Sequence, residues 1–186
     1  MTNPVLVALW EIVQSLESKQ IDYVVMGGLA VRALAIPRPT NDVDVTIACQ
    51  HERLHELLQS WESECIQVPQ IYLTGWLDRI AGMPLIKLKT QVEETQSIDL
   101  DVFLCETDFQ RSLLSRRLRM AVDDRNIWMV TPEDLILLKL IANRPRDLID
   151  VADILFIQGQ LDEAYMHHWA AILDITYRLN AALISN

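Results

Sequence analysis

The sequence predicts an α+β fold, with a mixed β-sheet core flanked by helices over residues 1–130 and an all-helical C-terminal region over residues 131–186. Three observations carry this. Short Val- and Ile-rich runs alternate with stretches of helical period as far as Val130. Leu85–Val92 and Ser97–Cys105 are separated only by the polar Glu93-Glu94-Thr95-Gln96, as in a hairpin. Beyond Thr131 the pattern is helical throughout.

The elements follow in order. Pro4–Lys19 is an amphipathic helix with Leu6, Leu9, Trp10, Val13 and Leu16 at helical spacing. Tyr23–Met26 is a buried strand, and Leu29–Ile36 a short helix closed by Pro37 and Pro39. Asp42–Ala48 is the second strand. His51–Glu62 is a helix presenting Leu54, Leu57, Leu58 and Trp61 to the core. The stretch from Cys65 to Met83 carries no clear period and receives no element. After the hairpin come a helix over Thr107–Leu118 and a last short strand over Ile127–Val130. Thr131-Pro132-Glu133-Asp134 is a helix start, with Thr at the N-cap, Pro at N1 and an acid at N3. Pro145 opens the next helix, Gly159 ends it, and Asp162–Leu183 supplies one or two more.

The 186 residues suffice for one well-formed core, and 51% apolar with 23% charged residues is an ordinary globular composition. The N-terminus lacks a basic n-region and Glu11 interrupts its apolar stretch, so no signal peptide is expected. The longest apolar run, Leu135–Ala142, contains Lys139 and falls far short of a membrane span. A cytoplasmic location is the expectation. Cys49, Cys65 and Cys105 are odd in number and scattered, which speaks against a disulfide framework and structural zinc. His51 and His55 stand at i and i+4 without completing a zinc motif, and read as a solvated helix face. A net charge of −10 argues against a broad nucleic-acid surface. Arg116, Arg117 and Arg119 form the one basic cluster and read as a solvated helix end. The five tryptophans read as packing.

Chemistry concentrates in Gly27-Gly28 and Asp42-Val43-Asp44-Val45. In a strand, residues i and i+2 share a face, so Asp42 and Asp44 project side by side while the valines face a core. Paired carboxylates repel, and a divalent cation relieves that cost. Oxygen-only ligands suit Mg²⁺ (or Mn²⁺), which leaves positions for water and phosphate. Gly27 and Gly28 offer backbone N–H groups at a helix N-terminus, a phosphate site. A third acid from a neighbouring strand would complete the metal shell, and Ile98-Asp99-Leu100-Asp101-Val102 supplies two competitors, Asp99 and Asp101. Arg38 and Thr40, just before Asp42, are placed to touch phosphate or ribose. Lys139 is the only polar residue in the run Leu135–Ala142, so its ammonium must snorkel or meet an anion, either phosphate or a carboxylate such as Asp150. Asp147 and Asp150, early in the helix opened by Pro145, read as complements to its dipole.

The order of Gly-Gly on a strand-to-helix turn, Asp42-Val43-Asp44-Val45 and a later acid-apolar strand, spanning Ile21–Leu104, resembles the DNA polymerase β-like nucleotidyltransferase superfamily. Lys139, Arg146, Asp147 and Asp150 resemble the downstream motifs of a small stand-alone bacterial branch related to AbiEii-type toxins. The resemblance implies a nucleotidyltransferase-like core in which Gly27 and Gly28 hold the triphosphate. Asp42, Asp44 and Asp101 would ligate the metal, with Arg38, Thr40 and Lys139 as nucleotide contacts. It implies transfer of a nucleoside monophosphate from an NTP, such as ATP, to a hydroxyl on RNA, protein or a small molecule. An antitoxin partner or a homo-oligomer would fit the toxin-related branch. Two rivals stand beside it: a non-catalytic nucleotide sensor or antitoxin-like partner, and a D-x-D glycosyltransferase, which would want a larger parallel sheet.

Overall fold

The computed structural model describes residues 3–64, 66–93 and 96–184. Helix α1 (Pro4–Ser18) is capped by the Asn3 side chain and buries Leu6, Leu9, Ile12, Val13 and Leu16. Strand β1 (Tyr23–Met26), buried at every position, runs directly into α2 (Gly27–Leu34), which therefore starts two residues earlier than its apolar period suggests. Strand β2 (Asp42–Ile47) and α3 (His51–Glu62) follow as expected. The unassigned stretch holds three short elements, β3 (Ile66–Gln67), α4 (Gln70–Leu73) and β4 (Asp78–Ile80). Cys65 lies outside the described residues, as do Glu94 and Thr95 between β5 (Met83–Glu93) and β6 (Gln96–Leu104).

Helix α5 (Asp108–Arg116) opens on a capping box between Thr107 and Gln110. It stops at Arg116, because Leu118 starts a strand that sequence period did not reveal, β7 (Leu118–Val122). That strand pairs with β8 (Arg125–Met129), the expected last strand lengthened at its start. Thr131 caps α6 (Pro132–Ala142), Pro145 opens α7 (Pro145–Gln158), and two helices follow, α8 (Glu163–Ile172) and α9 (Thr176–Ile184).

The strands form one mixed sheet in the order β3-β5-β6-β2-β1-β8-β7, with β4 paired to β5. The central pairings are antiparallel between β1 and β2 and parallel between β2 and β6. One face carries Val43, Val45, Leu100 and Val102, all buried in a core to which α1 and α3 contribute. The opposite face is apolar at the Phe103 end, and its Asp42 and Asp99 end is exposed. Trp61 and Trp169 pack in the core as expected, whereas Trp76 is 56% exposed. Among the described residues no helix is long and apolar enough to cross a membrane.

Candidate active site

Gly27 sits at φ +65°, turning the chain from β1 into α2 within one residue. A Cβ there would collide with the Asp44 carboxylate, and one on Gly28 would collide with the Thr40 hydroxyl. Both glycines are thus required by the close approach of side chains from β2 and its lead-in, and Gly27 also by its left-handed backbone. The approach follows from register, since Met26 pairs with Asp44 across β1 and β2.

Parallel pairing of β2 with β6 then sets Asp42 against Asp99 and Asp44 against Asp101. Two competing third acids are separated by their surroundings. The Asp101 side chain, 24% exposed, lines the same cavity as Asp42 and Asp44. The Asp99 side chain, 64% exposed, lies off that cavity and pairs with Lys89 at 3.2 Å.

The cavity encloses about 470 Å³ and brings together Gly27, Gly28, Arg38, Thr40, Asp42, Asp44, Asp101 and Lys139. Arg144 and Arg146 also line it, and Met83, Phe103, Leu135 and Leu138 give it an apolar wall. Within it, burial pushes the Asp44 carboxyl up to about 7, reinforced by the Asp42 and Asp101 carboxylates and opposed by Lys139 and Arg144. Asp42 accepts a hydrogen bond from the Thr40 hydroxyl at 2.7 Å, and Asp101 is paired with Lys87 at 3.2 Å.

The expected convergence of three acids on one metal-sized point is not seen: among the described residues no group of three or more His, Cys, Asp and Glu side chains could hold a metal ion. Like charges resist closing on one another, and Thr40 and Lys87 hold two of these acids in separate contacts. The donor set nevertheless fits a hard divalent cation. It consists of carboxylate oxygens from two adjacent strands, and Asp44 carries a charge that its neighbours oppose.

A second cluster borders the cavity. The Lys139 ammonium donates to Asp147 at 3.0 Å and pairs with Asp150 at 2.7 Å, so the one polar residue of the Leu135–Ala142 run is met by two carboxylates. Arg38 binds Asp150 in a fork, at 2.6 and 2.7 Å, and Arg144 Nε donates to Asp147 at 2.6 Å. Burial alone would push both acids up, but hydrogen bonds from Arg144 and Lys139 to Asp147, and from Arg38 and Lys139 to Asp150, hold them below the usual carboxylate range. A buried ion network thus joins the dipole reading for Asp147, which stands in the first turn of α7 and accepts from the Arg144 backbone N–H. Arg146 donates to the Pro39 carbonyl at 3.1 Å, tying the segment before β2 to the start of α7. Sequence reasoning passed over Arg144. Its signal was the Arg-Pro-Arg-Asp run, in which two cations flank a helix-opening proline.

The other basic cluster is not a free helix end. Arg116 stacks on the Tyr165 ring at 3.8 Å and pairs with Glu133, Arg117 pairs with Asp22 at 2.7 Å, and Arg119 lies in β7. His51 and His55 are exposed on α3.

Residues 5–181 match the profile of a family described as "nucleotidyltransferase of unknown function (DUF6036)". Among solved structures, an antigenic nucleotidyltransferase-like protein from Paracoccidioides brasiliensis is 22% identical, with a TM-score of 0.53 over 98% of this chain and 94% of that one. ANT(2")-Ia, solved in complex with adenylyl-2"-tobramycin, is 14% identical, with a TM-score of 0.58 over 92% and 97%. The lincosamide antibiotic adenylyltransferase LnuA, solved with lincomycin bound, is 19% identical, with a TM-score of 0.50 over 81% and 94%. At these identities the likeness shows the fold. No curated protein matches the sequence.

Proposed function

The chain belongs to the nucleotidyltransferase family DUF6036, and we propose that it moves a nucleoside monophosphate from an NTP to a hydroxyl acceptor with release of pyrophosphate. One observation carries this reading: register places Asp44 against both the Gly27 turn and Asp101, within a cavity also lined by cations. Residues 1–130 would act as the catalytic core, with 131–186 packed on it and contributing Lys139 and Arg144 to the cleft.

Gly27 and Gly28 would present backbone N–H groups to the triphosphate. Arg38, Thr40 and Lys139 would border it, with Arg144 and Arg146 as further cations. Lys139 and Arg38 would do so as a fixed array, because Asp147 and Asp150 hold them in place. Asp42, Asp44 and Asp101 would hold Mg²⁺ or Mn²⁺, which when bound would supply positive charge against the negative charge that develops on the phosphates. In the transfer, the acceptor oxygen bonds to the α-phosphorus while the bond to the oxygen bridging toward the β-phosphate breaks. Pyrophosphate leaves, and Asp101, on β6 beside Asp44 of β2, would take the hydroxyl proton.

The likeness of Lys139, Arg146, Asp147 and Asp150 to AbiEii-type relatives supports a toxin-like role restrained by an antitoxin partner. Growth arrest on expression that disappears with Asp44→Asn tests that role.

The transfer itself is tested by incubating the protein with each α-labelled NTP, Mg²⁺ and cell extract, and identifying which molecule takes up label. Labelled RNA, protein or small molecule names the acceptor. Binding of intact NTP without label transfer or pyrophosphate release from any of the four would replace the enzyme with a nucleotide sensor.

A further inference from the structure

Twelve large hydrophobic side chains are exposed among the described residues, and seven of them, Leu148, Ile149, Phe156, Ile157, Ile172, Tyr177 and Ile184, fall on α7, α8 and α9. They are not scattered. Leu148, Ala152 and Phe156 recur at i, i+4 and i+8 along the outer face of α7, all exposed, while Asp147, Asp150, Val151 and Ile154 of the same helix are buried. Tyr177, Ala181 and Ile184, at i, i+4 and i+7, form a like stripe on α9. Between the two stripes runs a groove lined by Leu148, Val151, Ala152, Tyr177, Ala181 and Ala182. Contiguous exposed apolar surface on one face is characteristic of interaction sites.

We propose that this α7–α9 face joins two copies of the chain in a symmetric dimer. Three features select a second copy as the occupant. The first is area: with Phe156, Tyr177 and Ile184 exposed to 74%, 85% and 86%, the two stripes offer apolar surface toward the roughly 800 Å² that each partner buries in a standard-size interface. The second is shape. A two-fold interface must be complementary to itself, and this face carries both a ridge, Phe156 at 74% exposed and Tyr177 at 85%, and a recess between alanines.

The third feature is charge. Two chains of net charge −10 repel over most of their surfaces. Neither stripe carries a charged side chain, and Arg178, the charged residue lining the groove, is turned inward onto the carbonyls of Leu140 and Ile141 at 2.8 and 3.3 Å. The inner face of α7 holds the Asp147–Lys139 and Asp150–Arg38 pairs, so the dimer would clamp from outside the helix that fixes those cations.

Light scattering coupled to size exclusion on the full chain, at tens of micromolar, tests the proposal. The expected mass is twice the chain's 21.4 kDa. Phe156→Asp and Tyr177→Asp, each at an exposed position, should return the mass to that of one chain with the far-ultraviolet dichroism unchanged. Trp76→Asp, at an exposed residue outside this face, should stay dimeric. A monomeric wild type would overturn the proposal, in favour of a different partner for the face. A dimer that survives both α7–α9 substitutions would overturn it equally. Each outcome is independent of whether the protein transfers nucleotides.

Discussion

Asp44 titrates with a sign that sets two expectations. Its folded carboxyl stands at about 7, above an ordinary value near 3.8. Between those limits the folded chain keeps a proton that the unfolded chain has lost, so this group's contribution to stability falls as pH rises from about 4 to 7. Asp44→Asn removes the penalty. The variant should melt at or above the wild-type temperature at pH 8, with the difference shrinking toward pH 4, while nucleotide transfer is lost. A variant that melts lower at pH 8, or that still transfers label, would contradict the assignment.

The two acids that meet Lys139 behave in the opposite way. Asp147 and Asp150 are held below their ordinary range, so their contribution is present above about pH 4 and disappears as pH falls through their depressed folded values. Lys139→Met leaves both acids short of a partner. Breaking a buried pair costs about 3–5 kcal/mol, an upper bound here, because Arg38 and Arg144 remain in place. A denaturant melt should show a loss approaching that range, and the acid transition should move to higher pH. Unchanged stability with weakened NTP binding would instead make Lys139 a free phosphate contact.

At the level of elements, the sequence showed the acids and hid some of the strands. Asp42–Val45 and Ile98–Val102 were legible because a period of two has one geometric meaning and both strands obey it. The residue pattern alone left Asp99 and Asp101 open, since both share a face and each meets a lysine of β5; only the family resemblance favoured Asp101, and of the two it is Asp101 that lines the cavity. Strand β7 was missed because its exposed and half-exposed residues have no buried alternate face, as is common at a sheet edge. β3 and β4 exist by pairing with β5 rather than by any pattern of their own. The start of α2 was misplaced because Gly27 and Gly28 carry no hydrophobic period. Gly27→Ala tests that junction. Its left-handed backbone should cost about 1–3 kcal/mol, and the added methyl must displace Asp44. A lowered melt together with lost nucleotide binding is expected, whereas a fully active, stable variant would mean that the turn tolerates a side chain.

For the whole molecule, the parallel pairing of β2 with β6 has a consequence in time. Asp44 and its neighbour Asp101 are brought together across a long intervening stretch of chain that includes α3 and most of the β5–β6 hairpin. Lys139, Arg144 and Arg146 come later still, from α6 and the opening of α7. Contacts between distant parts of a chain form slowly, and a growing polypeptide offers its N-terminal parts first. A nascent chain halted before Asp150 would display the acids without the network that fixes Lys139 and Arg38. The cleft should therefore be the last part of the protein to mature. In refolding experiments, nucleotide binding should appear in the slowest phase, after most of the secondary structure has formed, and a newly made chain would stay inert toward nucleotides until its final helices dock.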